Sequence, residues 1–256
     1  MAGPVAGDGL AAAWRRAAAE PGVVVLDGFH PVKHALRFGA EVVLAVTTDL
    51  AGTLALAAAV APELTDLLAA TLHPVDAAVL ARLVPPGHPT GVAALARRPD
   101  RPLDTLLANP GPAPVVLLEN PRNLGNVGAV IRVAAGIGAG GVITTGTVDP
   151  WHPQVLRGSA GLHFALPVNR AEAVPAGPRP VLALDPGGVD LRSGGIPDRA
   201  LLVFGSERSG ISPATRDRAD ALIALPIRPG VSSYNLATAV AMALYEWARS
   251  AVPTGN

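Results

Sequence analysis

Three short segments carry the side chains best placed for chemistry. The first is LLENPRNLGNVGAVIR, Leu117 to Arg132, where an apolar strand runs into Asn120, Pro121, Asn123, Gly125 and Asn126 before a helix that carries Arg132. The second is LVFGSERSGIS, Leu202 to Ser212, in which a strand breaks at Gly205 and at once presents Ser206 and Glu207. The third, LPIRPGVSSYNLATAVAMALYE, Leu225 to Glu246, sets Ser233 and Asn235 at the mouth of the last helix. Taken singly, each has an ordinary structural explanation. Asn and Gly ahead of a helix cap it, a glutamate after a strand is a solvated loop charge, and Ser or Asn at a helix mouth is an N-cap. The absence of cysteine removes a thiol nucleophile, Cys-based zinc sites and disulfides together. The six histidines show neither HxxxH nor HExxH spacing, so they read as polar or capping residues and no metal is expected. Catalysis must then rest on amides, carboxylates, hydroxyls and guanidinium groups.

A fourth glycine-rich segment is a decoy. Gly136, Gly138 and Gly141 satisfy the letters of GxGxxG, but a helix precedes them and a strand follows. A dinucleotide cradle needs the reverse order, so that the helix N-terminus faces the pyrophosphate. These glycines read as a helix C-cap and tight turn.

The elements that must hold the three segments alternate in type. Behind Pro114, strands are expected at Val115 to Glu119, Val142 to Thr145, Phe164 to Val168, Val181 to Asp185, Leu201 to Gly205 and Leu222 to Ile227, with helices between several of them. Such alternation predicts a mainly parallel sheet covered on both faces, with ligands at the strands' carboxyl ends. The last helix, Tyr234 to Arg249, aligns Leu236, Val240, Leu244 and Trp247 in one stripe that reads as core packing. Ahead of it, Val23 to Asp27 and Glu41 to Thr48 are strand-like and flank a helical pattern at Pro31 to Phe38. Helices at Thr53 to Ala61 and Pro74 to Val84 and a closing strand at Thr90 to Arg97 complete a small α/β module. Residues 1–20 form an Ala-rich extension, helical at best. Between the modules, Pro99 to Pro114 packs five prolines around a short apolar piece and reads as a linker.

Composition narrows the classes further. Half of the 256 residues are hydrophobic and 16% are charged, which argues against disorder. The longest apolar stretches, such as Leu54 to Ala61, fall short of the about 20 residues that span a bilayer. The N-terminus places its arginines after its apolar residues and lacks a long hydrophobic centre, unlike a secretory signal, so a cytoplasmic protein without a membrane anchor is expected. Twenty basic residues balance twenty acidic ones, which excludes a surface that grips nucleic acid everywhere but not a local basic site. Arg97, Arg98 and Arg101 are candidates for such a patch.

Taken together, the three segments resemble the motif set of the SpoU, or TrmH, family of RNA ribose 2′-O-methyltransferases, part of the SPOUT superfamily, in both order and spacing. The resemblance covers Val115 to about Glu246. LDGFHPVKHALR, Leu26 to Arg37, and HPTGVAALARRP, His88 to Pro99, are similar to the small substrate-binding domain that many members carry in front. The resemblance implies an α/β chain with a SPOUT-type parallel-sheet domain at 114–256, closed by a deep trefoil knot, one of the rare exceptions to unknotted topology. A small α/β RNA substrate-binding domain at 21–99 and a Pro-rich linker at 100–113 would precede it. It implies a homodimer that binds S-adenosylmethionine in the knot through Gly205, Ser206, Glu207, Leu225, Pro226, Ile227, Ser233, Tyr234, Asn235 and Leu236, with Thr144 bordering the adenosine.

Asn126, Arg132, Glu207, Ser233 and Asn235 match the family's catalytic set, and Arg157, in LRGSAG, matches an arginine that contacts RNA. In that picture Asn126 orients the ribose or Arg132, and Glu207 fixes loop geometry through backbone amides or Arg132 itself. Tyr234 departs from the pattern, since the family usually has leucine there. The implied substrate is RNA, with 23S ribosomal RNA favoured. Three alternatives stay open: a transfer RNA 2′-O-methyltransferase, a non-catalytic homologue that holds RNA or S-adenosylmethionine, and a small-molecule methyltransferase of ordinary doubly wound fold.

Overall fold

A computed structural model describes residues 7–84 and 90–251. Residues 1–6 of the Ala-rich start, His88 and Pro89 of the HPTG stretch, and residues 252–256 lie outside the described residues. Two compact units emerge: one holds the described residues up to Asp100 together with Ala160–Ala165, the other Arg101–Ser159 and the described residues from Leu166 onward.

In the first unit the elements run α1 (Gly7–Ala18), β1 (Val23–Asp27), α2 (Phe29–Arg37), β2 (Val42–Thr47), α3 (Leu50–Val60), α4 (Thr65–Thr71), β3 (Leu72–Pro74), α5 (Ala77–Leu83) and β4 (Val92–Arg97). The sheet has the order β1-β4-β2-β3, antiparallel except for the β2–β3 pair. Residues 7–18 form a helix that is packed against this unit. Leu10, Trp14 and Ala17 recur at helical spacing on α1, and all are buried against Val79, Leu80, Ala93 and Leu95. Burial of that stripe, rather than alanine content, stabilises the helix. The short strand β3 also went unanticipated, because three residues give no period to read.

In the second unit follow α6 (Leu103–Ala108), β5 (Val115–Leu118), α7 (Leu124–Ile137), β6 (Gly141–Thr144), α8 (Pro153–Gly158), β7 (Val168–Arg170), β8 (Val181–Asp190), α9 (Leu191–Gly194), β9 (Leu201–Phe204), α10 (Pro213–Arg218), β10 (Ala221–Ala224) and α11 (Leu236–Ala251). Every pairing in the sheet β10-β8-β9-β5-β6-β7 is parallel. The central strands β5, β6 and β9 are fully buried, as near-continuous apolar runs require when both faces are covered. Leu236, Val240, Leu244 and Trp247 of α11 are all buried within the single chain, so the stripe is core. Among the described residues no helix is long and apolar enough to cross a membrane.

Three expected elements shift. The strand expected at Phe164 to Val168 begins only at Val168, because Pro167 cannot donate to a ladder and Phe164 is buried in a 3₁₀ turn, Leu162–Phe164. The strand toward Ile227 stops at Ala224, two residues before Pro226. The Pro-rich stretch expected as a linker contains α6, whose Leu106 and Leu107 join the core beside Val115 and Ile143. The glycine decoy is a turn: Gly138 takes the left-handed conformation, φ 82°, at the C-cap of α7, and the Ala139 amide closes onto Ala134.

One side chain holds the Pro-rich stretch in place. Arg179, only 4% exposed, donates to the carbonyls of Leu106, Leu107, Asn109, Ala113 and Arg199 at 3.1 to 3.2 Å. Five carbonyl dipoles replace the water that a buried guanidinium loses, and its planar fork is what reaches them together. Burial, followed by the nearby Arg199 charge, lowers its pKa. On the other face, α7 and α8 cross through glycine: a Cβ on Gly128 would lie 2.7 Å from the Val155 carbonyl and 2.8 Å from the Gly158 Cα. Truncating Arg179→Ala leaves five carbonyls without that donor and is expected to destabilise the chain by about 3 kcal/mol or more. Gly128→Ala should cost about 1–3 kcal/mol through overpacking. Urea unfolding of the two variants measures both values.

Candidate active site

All strands of the second sheet point the same way, so the loops after β5, β6, β9 and β10 leave from one edge. The first two are locked together. The Asn120 amide donates to the Thr145 hydroxyl at 3.0 Å, and Gly146 leaves no room for a Cβ, which would stand 2.4 Å from the Asn120 Oδ1. Asn120 itself has φ 47°, a conformation that asparagine tolerates better than most residues. Asn123 then caps α7, its Oδ1 accepting from the Asn126 amide at 3.1 Å.

The loop after β9 is tight for a different reason. Ser206 and Gly210 pair as an antiparallel bridge, and a Cβ on Gly205 would meet the Gly210 carbonyl carbon at 2.0 Å. That closure holds Glu207 at the tip. Behind it, Glu119 accepts from the Ser212 amide at 2.8 Å, the Ser212 hydroxyl at 2.6 Å and the Thr215 hydroxyl at 2.5 Å. The start of α10 is thereby tied to the end of β5. Nothing in the sequence marked Glu119 for this task beyond an acid directly after a buried strand. The loop after β10 is spanned by Tyr234, whose hydroxyl donates to the Pro226 carbonyl at 2.6 Å. The family's leucine cannot make that bond. Residues 184–188 of β8 are also extruded, since the register with β10 jumps from Ala183 to Val189.

Three loops meet at one amide. Asn126 Nδ2 donates to Glu207 Oε1 at 2.9 Å, and Asn126 Oδ1 accepts from Asn235 Nδ2 at 3.0 Å. Asn235 Oδ1 in turn accepts from the Ala237 amide at 2.9 Å, at the first turn of α11. The direction of this chain is forced. An ionised carboxylate can only accept, so Asn126 must present nitrogen to Glu207 and oxygen to Asn235. Glu207 Oε2 takes the Arg122 backbone amide at 3.4 Å. Partial burial opposes the Glu207 charge, but donation from Asn126 and from the backbone amides of Glu207, Arg122 and Asn123 outweighs it and holds the carboxyl below its usual pKa.

The remaining expected residues divide. Arg132 lies on α7 in solvent, and Glu207 engages Asn126 and backbone amides, not the Arg132 guanidinium. Asn126 likewise binds the two loops rather than Arg132. Ser233 is exposed, Leu236 is buried, and Leu225, Pro226 and Ile227 are half-buried. Thr144 is wholly buried at the end of β6, and its hydroxyl has no hydrogen-bond partner. Arg157 is exposed on α8. Arg97, expected as a free RNA contact, is bound by Glu20 at 2.8 Å and Glu41 at 2.9 Å, so its charge is met within its own unit. No group of acids and histidines fit to hold a metal occurs among the described residues.

Residues 113–245 match the SpoU rRNA methylase family. The chain belongs to that family. A Synechocystis protein named as an uncharacterized tRNA/rRNA methyltransferase is 31% identical over 74% of each chain. The 23S rRNA (adenosine(1067)-2′-O)-methyltransferase of Streptomyces laurentii is 33% identical over 53% of this chain, a match spanning about half of that protein's length. The crystal structure of the SpoU methyltransferase AviRb from Streptomyces viridochromogenes, in complex with the cofactor AdoMet, superimposes with a TM-score of 0.75 at 25% identity, covering 94% of this chain and 98% of that one. The α/β, parallel-sheet architecture is thus that of SpoU methyltransferases.

The forced polarity makes Asn126 testable. Asn126→Asp sets two carboxylates against each other, so its turnover should fall below that of Asn126→Ala at neutral pH and recover relative to it as the pH is lowered toward about 4.3. Because the folded pKa of Glu207 is depressed, its stabilising contribution is present above the unfolded value and is lost as pH falls through the folded one. Unfolding curves should therefore show wild type and Glu207→Gln converging below about pH 4.3.

Proposed function

We propose that this SpoU-family protein transfers a methyl group from S-adenosylmethionine to a ribose 2′-hydroxyl of RNA, with 23S ribosomal RNA as the favoured substrate. The observation that carries the proposal is the meeting of Glu207, Asn126 and Asn235 at one edge of the sheet, in a chain of this family. The names of the 23S ribosomal RNA methyltransferases among its relatives support the substrate, and the AdoMet complex of AviRb supports the cofactor.

The residues present fit that cofactor. A buried Thr144 hydroxyl without a partner is an unused hydrogen-bonding group at the strand end, and the side-chain-free Gly205 and the half-buried Leu225–Pro226–Ile227 run offer backbone at close range. Thr144, Gly205, Ser206, Glu207, Leu225, Pro226, Ile227, Ser233, Tyr234, Asn235 and Leu236 would hold it. When bound, S-adenosylmethionine supplies an electrophilic methyl group.

The chain's own residues must do the rest. A ribose hydroxyl is a weak nucleophile at neutral pH, so it has to be oriented and relieved of its proton as the new bond forms. Arg132 does not take that proton, because a cationic guanidinium offers donors and no acceptor. It instead clamps the phosphate beside the target ribose and polarises the hydroxyl, and phosphate or water accepts the proton. Asn126 and Glu207 position the loops, while Ser233 and Asn235 hold the cofactor loop and the substrate edge. Arg157 contributes an RNA contact, and Arg98 of the first unit and Arg101 of the second are further candidates for contacting RNA. Arg97 is the weaker candidate.

A deep trefoil knot and a homodimer belong to the same reading. The likeness to SpoU methyltransferase structures supports the knot. Tyr245, 65% exposed on α11, supports a second copy. Such an enzyme would work in the cytoplasm.

Purified protein, methyl-labelled S-adenosylmethionine and ribosomal RNA from a strain lacking the gene should yield label on one 2′-hydroxyl. Arg132→Ala should lower kcat by about 100- to 1,000-fold, as loss of a charge-stabilising donor does. Arg132→Lys should remain impaired by about 10-fold or more, since a point charge cannot replace a planar fork. Near-normal turnover of the lysine variant would contradict the clamp.

A further inference from the structure

The distribution of arginine partners across this neutral chain is uneven. Away from the candidate site, exposed arginines are repeatedly met by acids: Arg37 by Glu63, Arg97 by Glu20 and Glu41, Arg192 by Asp190, Arg216 by Asp185 and Arg249 by Glu246. At the edge of the site the pattern reverses. Arg122, directly before the α7 cap, and Arg208, next to Glu207, are both exposed, and neither guanidinium has a hydrogen bond or ion pair among the described residues. Both belong to the surroundings of Glu207: Arg208 follows it in the chain, and the Arg122 backbone amide reaches its carboxylate.

Glu207 adjoins both, and its oxygens accept from Asn126 and from the Arg122 backbone amide rather than from either guanidinium. Glu119, the other acid of these loops, is committed to Ser212 and Thr215. Arg132 adds a third uncompensated cation on the same helix whose cap follows Arg122. Exposed arginines without acids also occur elsewhere, at Arg15 and Arg16 of α1. Arg122 and Arg208 differ in flanking the one point where three loops are tied. Exposed cations without an acid partner attract a polyanion, whose phosphates they neutralise as its counterions are released.

We propose that Arg122 and Arg208 form a two-arginine clamp for the RNA phosphates that flank the target nucleotide. They are substrate-positioning residues that draw the strand across the Asn126–Glu207–Asn235 junction. The clamp rests on the RNA methyltransferase reading above and extends it to how a chain of zero net charge holds a polyanion. Phosphate contacts of this kind set position and register without reading bases.

The test is salt-dependent binding of wild type and the double variant Arg122→Ala/Arg208→Ala to 23S ribosomal RNA, followed by steady-state methylation. Each lost phosphate contact should flatten the plot of log K against log salt by about 0.7 to 0.9, so the pair should flatten it by about 1.4 to 1.8. KM for RNA should rise roughly 10-fold, with kcat at saturating RNA and affinity for S-adenosylmethionine unchanged. Both properties survive because the Arg122 contact to Glu207 is made by the backbone. Arg122→Lys/Arg208→Lys should keep the wild-type slope, which a merely structural role would not produce. If the alanine pair proves misfolded by its melting temperature, Arg208→Glu alone should still flatten the slope. An unchanged slope in a folded alanine variant, or no binding of 23S ribosomal RNA by wild type, overturns the clamp. Binding with the expected slopes but no methyl transfer keeps the clamp and sinks the methyltransferase reading instead.

Discussion

The candidate site depends on the side-chain amide of Asn126. Its two ends differ in polarity, and each end meets a group that fits only one polarity: a carboxylate that can only accept a hydrogen bond, and a second amide turned by its own role as a helix cap. The bonds run head to tail from the α11 backbone through Asn235 and Asn126 to Glu207. Aligned dipoles of this kind reinforce one another, and the negative charge at the end favours the whole sequence of donors. A junction that works only in one orientation, and that water can reach, would be fragile on mobile supports. Here the supports are short. Glycine at 205 and 146 lets backbones approach where a Cβ would not fit, and Glu119 ties the next helix to the first strand.

Rigidity further from the site comes from two opposite devices. Gly128 and Gly158 remove side chains so that α7 and α8 can touch, which fixes the axis of the helix that bears both Asn126 and Arg132. Arg179 does the reverse, filling a polar gap with one long side chain that satisfies five carbonyls. Both replace a larger hydrophobic core in a chain with few aromatic residues.

Electrostatics in this molecule are local. With equal numbers of acids and bases, no long-range field draws RNA to the surface, and screening at physiological salt would confine such a field to about 8 Å in any case. What counts is whether a given arginine has an acid beside it. Arg97 has two, which makes it the weakest of the three RNA-binding candidates that its sequence neighbourhood offered. The guanidinium groups of Arg122 and Arg208 pair with no acid among the described residues, although neither stood out in the sequence.

Much of the architecture was legible along the chain. Apolar runs bounded by glycine or proline located β1, β5, β6 and β9 to within a residue or so, and the spacing of Leu236, Val240, Leu244 and Trp247 identified a core stripe. Local signals fell short where burial decides: the Ala-rich start was read as helical at best, whereas Trp14 anchors α1 in the core, and α6 hid among prolines. The order and chemistry of the three polar segments were likewise a property of the sequence, because motif spacing is one-dimensional. Which groups touch was not. Asn126 lies 81 residues from Glu207 and 109 from Asn235, and only parallel strands delivering all three loops to one edge bring them within hydrogen-bond reach. For the same reason Glu207 bonds to Asn126 rather than Arg132: the two lie more than a helical turn apart on α7, and a carboxylate at the helix mouth reaches the first of them.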